Sequence, residues 1–544
     1  MPDTTVSPSC CWRWGVYGIL IVASLGAAAG RILQVESRDG QAPFLSANDR
    51  SRWAAIRAMG DYGRYDIDLV IIQDSEAQRR WERFDHVWYS IDLVRHKGSD
   101  GKEHYYSSKP PLLAAMLTAP YWVLKLVTGE TLATQPFYLV RTMLLLVNLP
   151  LMFVFLVSIA ALAERYGKTD LGRILVVTAA AWGTLLTPFL VSLNNHLPAA
   201  ASVAIASWAA LAIWRGEKAW RYPILAGLFA AFAVANELPA LAFAALLTGM
   251  IFYRMPARAA LAFAPAAAAV AIAYFGVNWL AHDSWRMPYA HRSDGATLAL
   301  IPGDWVDRLN QGDVPVEVRE ELESQDFSIS PRAFLKPRLP LVKDGQEQQR
   351  WMLWDTVGQD RFALAAVEGG VEVRAWDNWY EYDGSYWSQP ERSGVDRGEP
   401  SRLVYLFHML LGHHGVFSLT PLWLLAVVGL FMALRQPDYG MRGAATATLA
   451  LSVVCIAFYF LRPEIDRNYG GVSCGMRWLI WLIPLWLICL LPAADAASKT
   501  PARMIVALVL LGISCLSASY SAMNPWTHPW LFDYWTYLDW IRYP

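Results

Sequence analysis

FYLVRTMLLLVNLPLMFVFLVSIAALA, residues 137–163, decides the fold class. It carries one charged residue, Arg141, across a length that exceeds the roughly 20 apolar residues a helix needs to cross a bilayer core about 30 Å thick. The rest of the chain agrees with it. Of 544 residues, 55% are hydrophobic and only 17% charged, a balance unsuited to a water-soluble enzyme. Further apolar runs at 16–33, 171–191, 197–214, 259–281, 416–434, 443–461, 476–491 and 504–522, with shorter ones at 224–235 and 238–253, predict an all-α polytopic integral membrane protein of about eleven spans. Small residues at Gly26 to Ala29 would suit a signal peptidase, but the first run reads as a retained helix.

The formal net charge of −1 gives the chain no electrostatic affinity for nucleic acid. Six cysteines are too scattered for a disulfide framework: Cys455, Cys489 and Cys515 lie inside apolar runs, and only Cys474 falls in an external loop. Many of the 26 tryptophans flank apolar runs or crowd the tail at 526–540, where they favour the headgroup zone.

Orientation turns on 111–127, which is apolar enough to insert and barely long enough to cross. If it lies on the outer surface, every short loop bearing Arg165, Lys168, Arg173, Arg215, Lys218, Arg221, Arg254, Arg258, Arg435, Arg442, Lys499 and Arg503 is cytoplasmic, as the positive-inside rule requires. The expected protein has its N-terminus inside and two long external loops, 34–136 and 282–415. It divides into a transmembrane catalytic module (1–281, including the first loop), a small α+β extracytoplasmic insertion (282–415), and C-terminal helices with an aromatic external tail (416–544). Within the insertion, the alternation Val371-Glu372-Val373-Arg374-Ala375-Trp376 between Gly369-Gly370 and Asp383-Gly384 predicts a strand. No internal repeat is visible.

Under this topology Arg141, Asn194, Asn195, His196, Asn236, Glu237, Asn278 and His282 approach the outer leaflet at a shared depth. Ionisable groups there are costly and mark sites, although any one of them could instead cap a helix. The 224–235 run would span only roughly 18 Å as helix, so its turn Asn236-Glu237-Leu238-Pro239 lies below the outer surface. Irregular backbone at that depth lines a cavity or is buried in protein, which predicts an outward cavity near Glu237.

The first loop holds a second constellation. Ser46-Ala47-Asn48-Asp49-Arg50-Ser51-Arg52-Trp53 reads as a helix start with Asn48 as N-cap and Asp49, ionised, in the first turn. Asp49, Arg52, Trp53 and Ile56 share one face. Tyr105-Tyr106-Ser107-Ser108-Lys109-Pro110-Pro111-Leu112 places a lysine before a proline-started helix at the membrane surface, where an ammonium suits a phosphate headgroup. Taken singly, each segment also reads as an ordinary charged interfacial helix or surface lysine.

In this order after a first span, the two segments resemble the GT-C superfamily of membrane glycosyltransferases, especially the protein O-mannosyltransferase and aminoarabinose transferase branches (glycosyltransferase family 39-like). Those families carry Asp-Glu-x-Arg-Tyr, then Tyr-x-x-Lys-Pro-Pro-Leu. Asp49, Arg52, Tyr106, Lys109, Pro110, Pro111 and Leu112 match, while Arg50 stands for the glutamate and Trp53 for the tyrosine. Asn468-Tyr469-Gly470-Gly471 and Gly475-Met476-Arg477-Trp478 resemble an external loop of related transferases.

The resemblance implies a polyprenyl-phosphate-linked sugar donor, Asp49 as catalytic base, and Lys109, Arg52 and Arg477 on the donor phosphate. Tyr106, His196, Asn195, Glu237 and Tyr469 are the expected cavity residues. It implies a multi-pass protein of a bacterial plasma membrane, working among membrane lipids on its extracytoplasmic side upon a protein, lipid or cell-wall glycan acceptor. No cofactor is expected: the adjacent His413-His414 pair reads as packed rather than zinc-binding, and a metal-independent reaction is expected. A secondary transporter or lipid flippase would share the broken helix pair, and a non-catalytic scaffold would share the large loop.

Overall fold

The computed structural model describes residues 8–77, 79–343, 346–358, 360–388 and 392–543. The chain forms two units, one of residues 1–63, 110–277 and 393–544, the other of 64–109 and 278–392.

The larger unit is helical. Among the described residues, eight helices of the chain are long and apolar enough to cross a membrane: Cys11–Ile32, Pro111–Thr128, Pro136–Tyr166, His196–Trp214, Pro256–His282, Gly440–Phe460, Arg477–Ala497 and Pro501–Tyr520. Arg221–Asn236, Leu238–Arg254 and Trp423–Leu434 are shorter apolar helices. The integral membrane character read from sequence is thus expressed as helix.

The 171–191 run departs from its expected single span. It is a 13-residue helix, Asp170–Trp182, followed by a 3-10 turn at Thr187–Val191. Gly183 ends the helix and Pro188, lacking an N–H, starts the tighter turn. Pro111–Thr128 has the length and composition of a crossing helix, so its surface placement rests on loop charge alone. It is tied to the first-loop helix by polar contacts: Tyr121 Oη and Lys125 Nζ reach Asp61 at 2.7 and 2.8 Å, and Trp122 Nε1 donates to the Gly60 carbonyl.

His196–Trp214 and Arg477–Ala497 are the central helices, with 83% and 89% of their apolar windows buried, against 17% for Pro256–His282. Apolarity on all sides is what a central helix requires. Small residues allow close approach: a Cβ on Gly429 would lie 2.1 Å from the Cys489 carbonyl oxygen, so helices Trp423–Leu434 and Ile483–Ala497 meet backbone to backbone there. At one end of this unit Arg13 donates to Glu164 (2.7 and 2.6 Å) and Asp170 (2.8 Å), and Asp495 accepts the Lys168 and Thr169 N–H groups. Those helix ends are among the ones the charge pattern assigns to the inner side.

The smaller unit is α+β. An antiparallel hairpin joins β1 (Leu93–Lys97) and β2 (Glu103–Ser107). Strands β3 (Arg292–Ser293) and β9 (Asp377–Asn378) form a two-stranded pair. Strands β4 (Thr297–Pro302), β5 (Phe334–Lys343), β6 (Gln346–Asp355), β7 (Asp360–Val367) and β8 (Gly370–Ala375) make an antiparallel sheet of order β4-β8-β7-β6-β5. The alternating segment at 371–376 is β8. Its Val371 and Val373 join Trp351, Leu353, Phe362 and Leu364 in a core that also takes Val318 and Leu322 from helix Val316–Ser324. Residues 64–109 belong here because Arg95 N–H donates to the Trp379 carbonyl and Arg361 reaches Glu103 at 2.6 Å.

Candidate active site

In the larger unit, three breaks in helical structure converge. The first is the start of helix Ala47–Arg57. Its N-cap is Ser46, whose Oγ accepts the Asp49 N–H at 3.1 Å, and not Asn48 as the sequence suggests. Asn48 Oδ1 instead accepts from Arg52 Nε at 3.3 Å, one helical turn along.

With the cap supplied by Ser46, the Asp49 carboxylate turns elsewhere. Its Oδ2 accepts the Leu45 N–H at 3.1 Å and its Oδ1 the Leu193 N–H at 3.2 Å. Asp49 is 1% exposed, and burial pushes its carboxyl up to about 7 against the two N–H groups that favour the anion. The expectation of an ordinary ionised aspartate is therefore corrected: Asp49 does lie in the first turn, but desolvation outweighs the hydrogen bonds that favour its anion.

The second break is the irregular stretch before His196–Trp214. Asn148 Nδ2 donates to the Leu190 and Ser192 carbonyls, Asn194 Nδ2 to those of Phe189 and Ser192, and Asn194 Oδ1 accepts the His196 and Leu197 N–H groups. These bonds satisfy main-chain groups that would otherwise be costly inside an apolar protein. The third break is Glu237. Helix Arg221–Asn236 ends there in extended backbone, and a 3-10 turn, Leu238–Ala240, leads into helix Leu241–Arg254, as the sequence predicts.

One connected network joins these breaks. Arg52 Nη2 donates to Asn195 Oδ1 at 2.7 Å, and Asn195 Nδ2 donates to Glu237 Oε1 at 2.6 Å and to the Asn236 carbonyl at 3.0 Å. His196 Nδ1 lies 2.5 Å from Glu237 Oε1, and its Nε2 lies 3.4 Å from Arg477 Nη1. A guanidinium only donates, so His196 Nε2 is the acceptor and the imidazole proton sits on Nδ1, facing Glu237. Arg477 Nε donates to the Gly470 carbonyl at 2.5 Å, and its guanidinium lies 5.0 Å from the Trp526 ring centroid. Arg52, His196 and Glu237 are buried, while Asn195 and Arg477 are partly exposed. Asn195 and His196 thus link two guanidinium groups to one glutamate, and a guanidinium is a planar donor whose fork matches a phosphate.

Of the residues expected in the site, the structure joins Arg52, Asn195, His196, Glu237 and Arg477 directly, and Asp49 through the Leu193 main chain. Tyr469 is apart from them. It is fully buried at φ 58°, its Oη donates to Glu399 Oε2, and its ring packs on Tyr405, His413 and His414. His413 and His414 are packed and hydrogen-bonded, Nδ1 to Nδ1 at 2.5 Å, with His413 Nε2 on Tyr543 Oη at 2.9 Å.

Tyr106 and Lys109 belong to the smaller unit. Lys109 Nζ pairs with Asp92 Oδ2 at 2.9 Å. Tyr106 stacks on His96, which stacks on Trp379, which stacks on His291, with centroids 4.3, 3.9 and 3.5 Å apart. Burial pushes His96 down to about 4. His96 Nδ1 donates to the Lys97 carbonyl, so its Nε2 accepts from His282 Nδ1 at 3.0 Å. Asn278 Nδ2 donates to the Ser284 and Arg286 carbonyls, so these outer-edge polar residues serve the smaller unit rather than the network.

Sequence reading misplaced Trp526. Assigned with the tail to the headgroup zone, it is in fact buried against Phe189 and His196, with Nε1 on Ser192 Oγ at 3.3 Å. A tryptophan next to Pro525 and ahead of a second one carries no local sign of a partner 334 residues away.

The sequence matches no family model and no curated relative. Among solved structures the chain is similar to the Archaeoglobus fulgidus oligosaccharyltransferase. The apo form aligns at TM-score 0.38 and 9% identity over 96% of this chain and 57% of that one. The complex with zinc and sulfate aligns at 0.42 and 11% over 95% and 55%. The archaeal oligosaccharyltransferase AglB from the same organism, with an inhibitory peptide and a dolichol-phosphate, aligns at 0.35 and 11% over 96% and 57%. This chain spans little more than half the length of those chains. At such similarity the functional reading rests on this chain's own residues.

Proposed function

We propose that this protein is a membrane glycosyltransferase that moves a sugar from a polyprenyl-phosphate donor to an acceptor hydroxyl at the outer face of a bacterial plasma membrane. The observation that carries the reading is the Arg52–Asn195–Glu237–His196–Arg477 network, which sets two guanidinium groups at helix breaks as donors for the departing lipid phosphate. The acceptor oxygen bonds the anomeric carbon with inversion, the bond from that carbon to the phosphate oxygen breaks, and the acceptor proton passes to Asp49. A carboxyl raised to about 7 suits a base near neutral pH. Lys109 adds positive charge for the donor phosphate and Tyr106 contributes to substrate binding, as the motif resemblance implies; Tyr469, fully buried on Glu399, is given no substrate contact. The lipid phosphate supplies the leaving group, so the transfer needs no resident cofactor. Protein, lipid and cell-wall glycan remain the acceptor classes.

The test uses purified protein in proteoliposomes with radiolabelled polyprenyl-phosphate sugars. Release of polyprenyl phosphate coupled to labelling of an acceptor, lost in Arg52→Met, is the expected result. Movement of intact donor between leaflets without cleavage would instead establish the flippase reading that the break at Glu237 shares.

A further inference from the structure

We propose that Asp66, Asp68 and His104, in the smaller unit, form a binding site for one divalent cation of borderline character, such as zinc or manganese. Each offers a ligand atom, and these atoms lie within 4.8 Å of one another. Ligands at about 2.0–2.2 Å from a metal lie roughly 3–4.4 Å apart, so the set needs only small shifts, the 2.7 Å His104 Nδ1–Asp68 Oδ2 pair opening slightly.

The main chain builds this arrangement. Ile67 is fully buried and its N–H donates to the Tyr105 carbonyl at 2.9 Å, while Tyr105 N–H donates to Asp68 Oδ1 at 2.8 Å. Segment 66–68 is thereby fastened beside β2, next to His104. Two independent features point to a ligand. Asp66 is 8% exposed, and its Oδ1 is buried without a hydrogen-bond partner among the described residues; Oδ2 accepts from Arg64 Nε at 2.7 Å. A buried carboxylate oxygen left bare is costly unless something cationic meets it.

The second feature is the orientation of His104. Its Nδ1 lies 2.7 Å from Asp68 Oδ2, and its Nε2 lies 3.0 Å from both oxygens of Asp100. Metal-bound histidines characteristically donate their far N–H to such a carboxylate, which fixes the ring and raises its basicity. Without metal, the His104 ring bridges Asp68 and Asp100. With metal, the ion sits between His104 Nδ1 and Asp68 in place of their hydrogen bond. One imidazole and two carboxylates suit zinc or manganese better than calcium or magnesium, which prefer oxygen alone. The site would lock the segment ahead of β1 to the hairpin; no part in sugar transfer is assigned to it.

The experiment is calorimetric titration of chelator-treated, full-length protein in detergent with zinc and with manganese chloride. One equivalent is expected to bind. Asp66→Asn, Asp68→Asn and His104→Gln should each weaken binding at least tenfold, judged on variants that keep the wild-type melting profile without metal. Asp100→Asn, on an exposed side chain that need not affect folding, should weaken it about 10- to 100-fold. Absence of saturable uptake by the unaltered protein, or uptake that none of the four substitutions changes, overturns the proposal. Neither result bears on the transferase reading, because no donor is present.

Discussion

The His196 imidazole is held between Glu237 and Arg477, with Nδ1 2.5 Å from Glu237 Oε1 and Nε2 3.4 Å from Arg477 Nη1. Glu237 also accepts from Asn195, so one carboxylate organises both the Arg52 and the Arg477 branches. Removing it leaves the Asn195 amide and the buried His196 Nδ1 without their shared acceptor. Glu237→Ala is expected to destabilise the protein by about 3–5 kcal/mol, and Glu237→Gln, which keeps an acceptor oxygen, by roughly 2 kcal/mol. Thermal melting in detergent measures both, and equal stability of wild type and Glu237→Ala would show that the network does not hold the fold.

Asp49 gives a pH dependence of definite sign. Its folded carboxyl is raised to about 7 from an ordinary 3.8, so the folded state holds the proton more tightly than the unfolded state does. That contribution is complete below about pH 3.8, declines as pH rises toward 7, and is gone above it; a shift of this size is on the order of 4 kcal/mol. Asp49→Asn should flatten this part of the stability profile between pH 4 and 7. The amide presents one oxygen where two N–H groups need acceptors, which costs about 1–3 kcal/mol at all pH. Sugar transfer per folded molecule should be abolished, and full activity of the variant would remove Asp49 from the chemistry.

Lys109 is paired with Asp92, and the proposed function assigns it to the donor phosphate. Lys109→Ala is expected to raise the donor KM by about 10- to 100-fold, the worth of one charge-assisted hydrogen bond, with a smaller change in kcat. Steady-state kinetics at varied donor concentration separates the two. A fall in kcat at unchanged KM would move Lys109 from donor binding to the transition state.

Gly470 sets the position of Arg477. Its φ is 95°, and an added Cβ would lie 2.7 Å from the Arg477 side chain. Gly470→Ala should therefore cost about 1–3 kcal/mol and weaken donor use together. Donor affinity and melting temperature both unchanged would mean that this close approach is not maintained in the protein.

Orientation is checked by thiol labelling from outside intact cells, with Cys10 and Cys11 replaced by serine. Ser99 in the β1–β2 turn and Lys168 before helix Asp170–Trp182 are both exposed, which makes Lys168 a better probe than its neighbour Thr169, whose side chain caps that helix. A membrane-impermeant reagent should label Ser99→Cys and spare Lys168→Cys. Labelling of both sites would mean that Pro111–Thr128 crosses the bilayer, and the reverse pattern would invert the orientation of the whole protein.

What was legible in the sequence were features that depend on near neighbours. Apolar length specified the membrane helices, a run too short to cross with an Asn-Glu-Leu-Pro turn specified the break at Glu237, and strict alternation specified β8. The shared depth of Asn195, His196 and Glu237 also followed from span boundaries, and these three do join. The 171–191 run failed as one span because apolarity reports burial and not helical continuity, and Gly183 with Pro188 interrupts it.

Tertiary structure alone decided what the polar groups do. Asp49 becomes a buried acceptor because Leu193, 144 residues away, presents an N–H to it, and no local pattern encodes that distance. Trp526 joins the Arg477 side of the network for the same reason, and residues 64–109 fold with 278–392 because their hydrogen-bond partners lie there. A charge or ring placed by sequence at a helix end has several ways to be satisfied. Which one prevails depends on the groups that packing brings within about 3 Å, where hydrogen-bond and desolvation energies outweigh the local helix dipole.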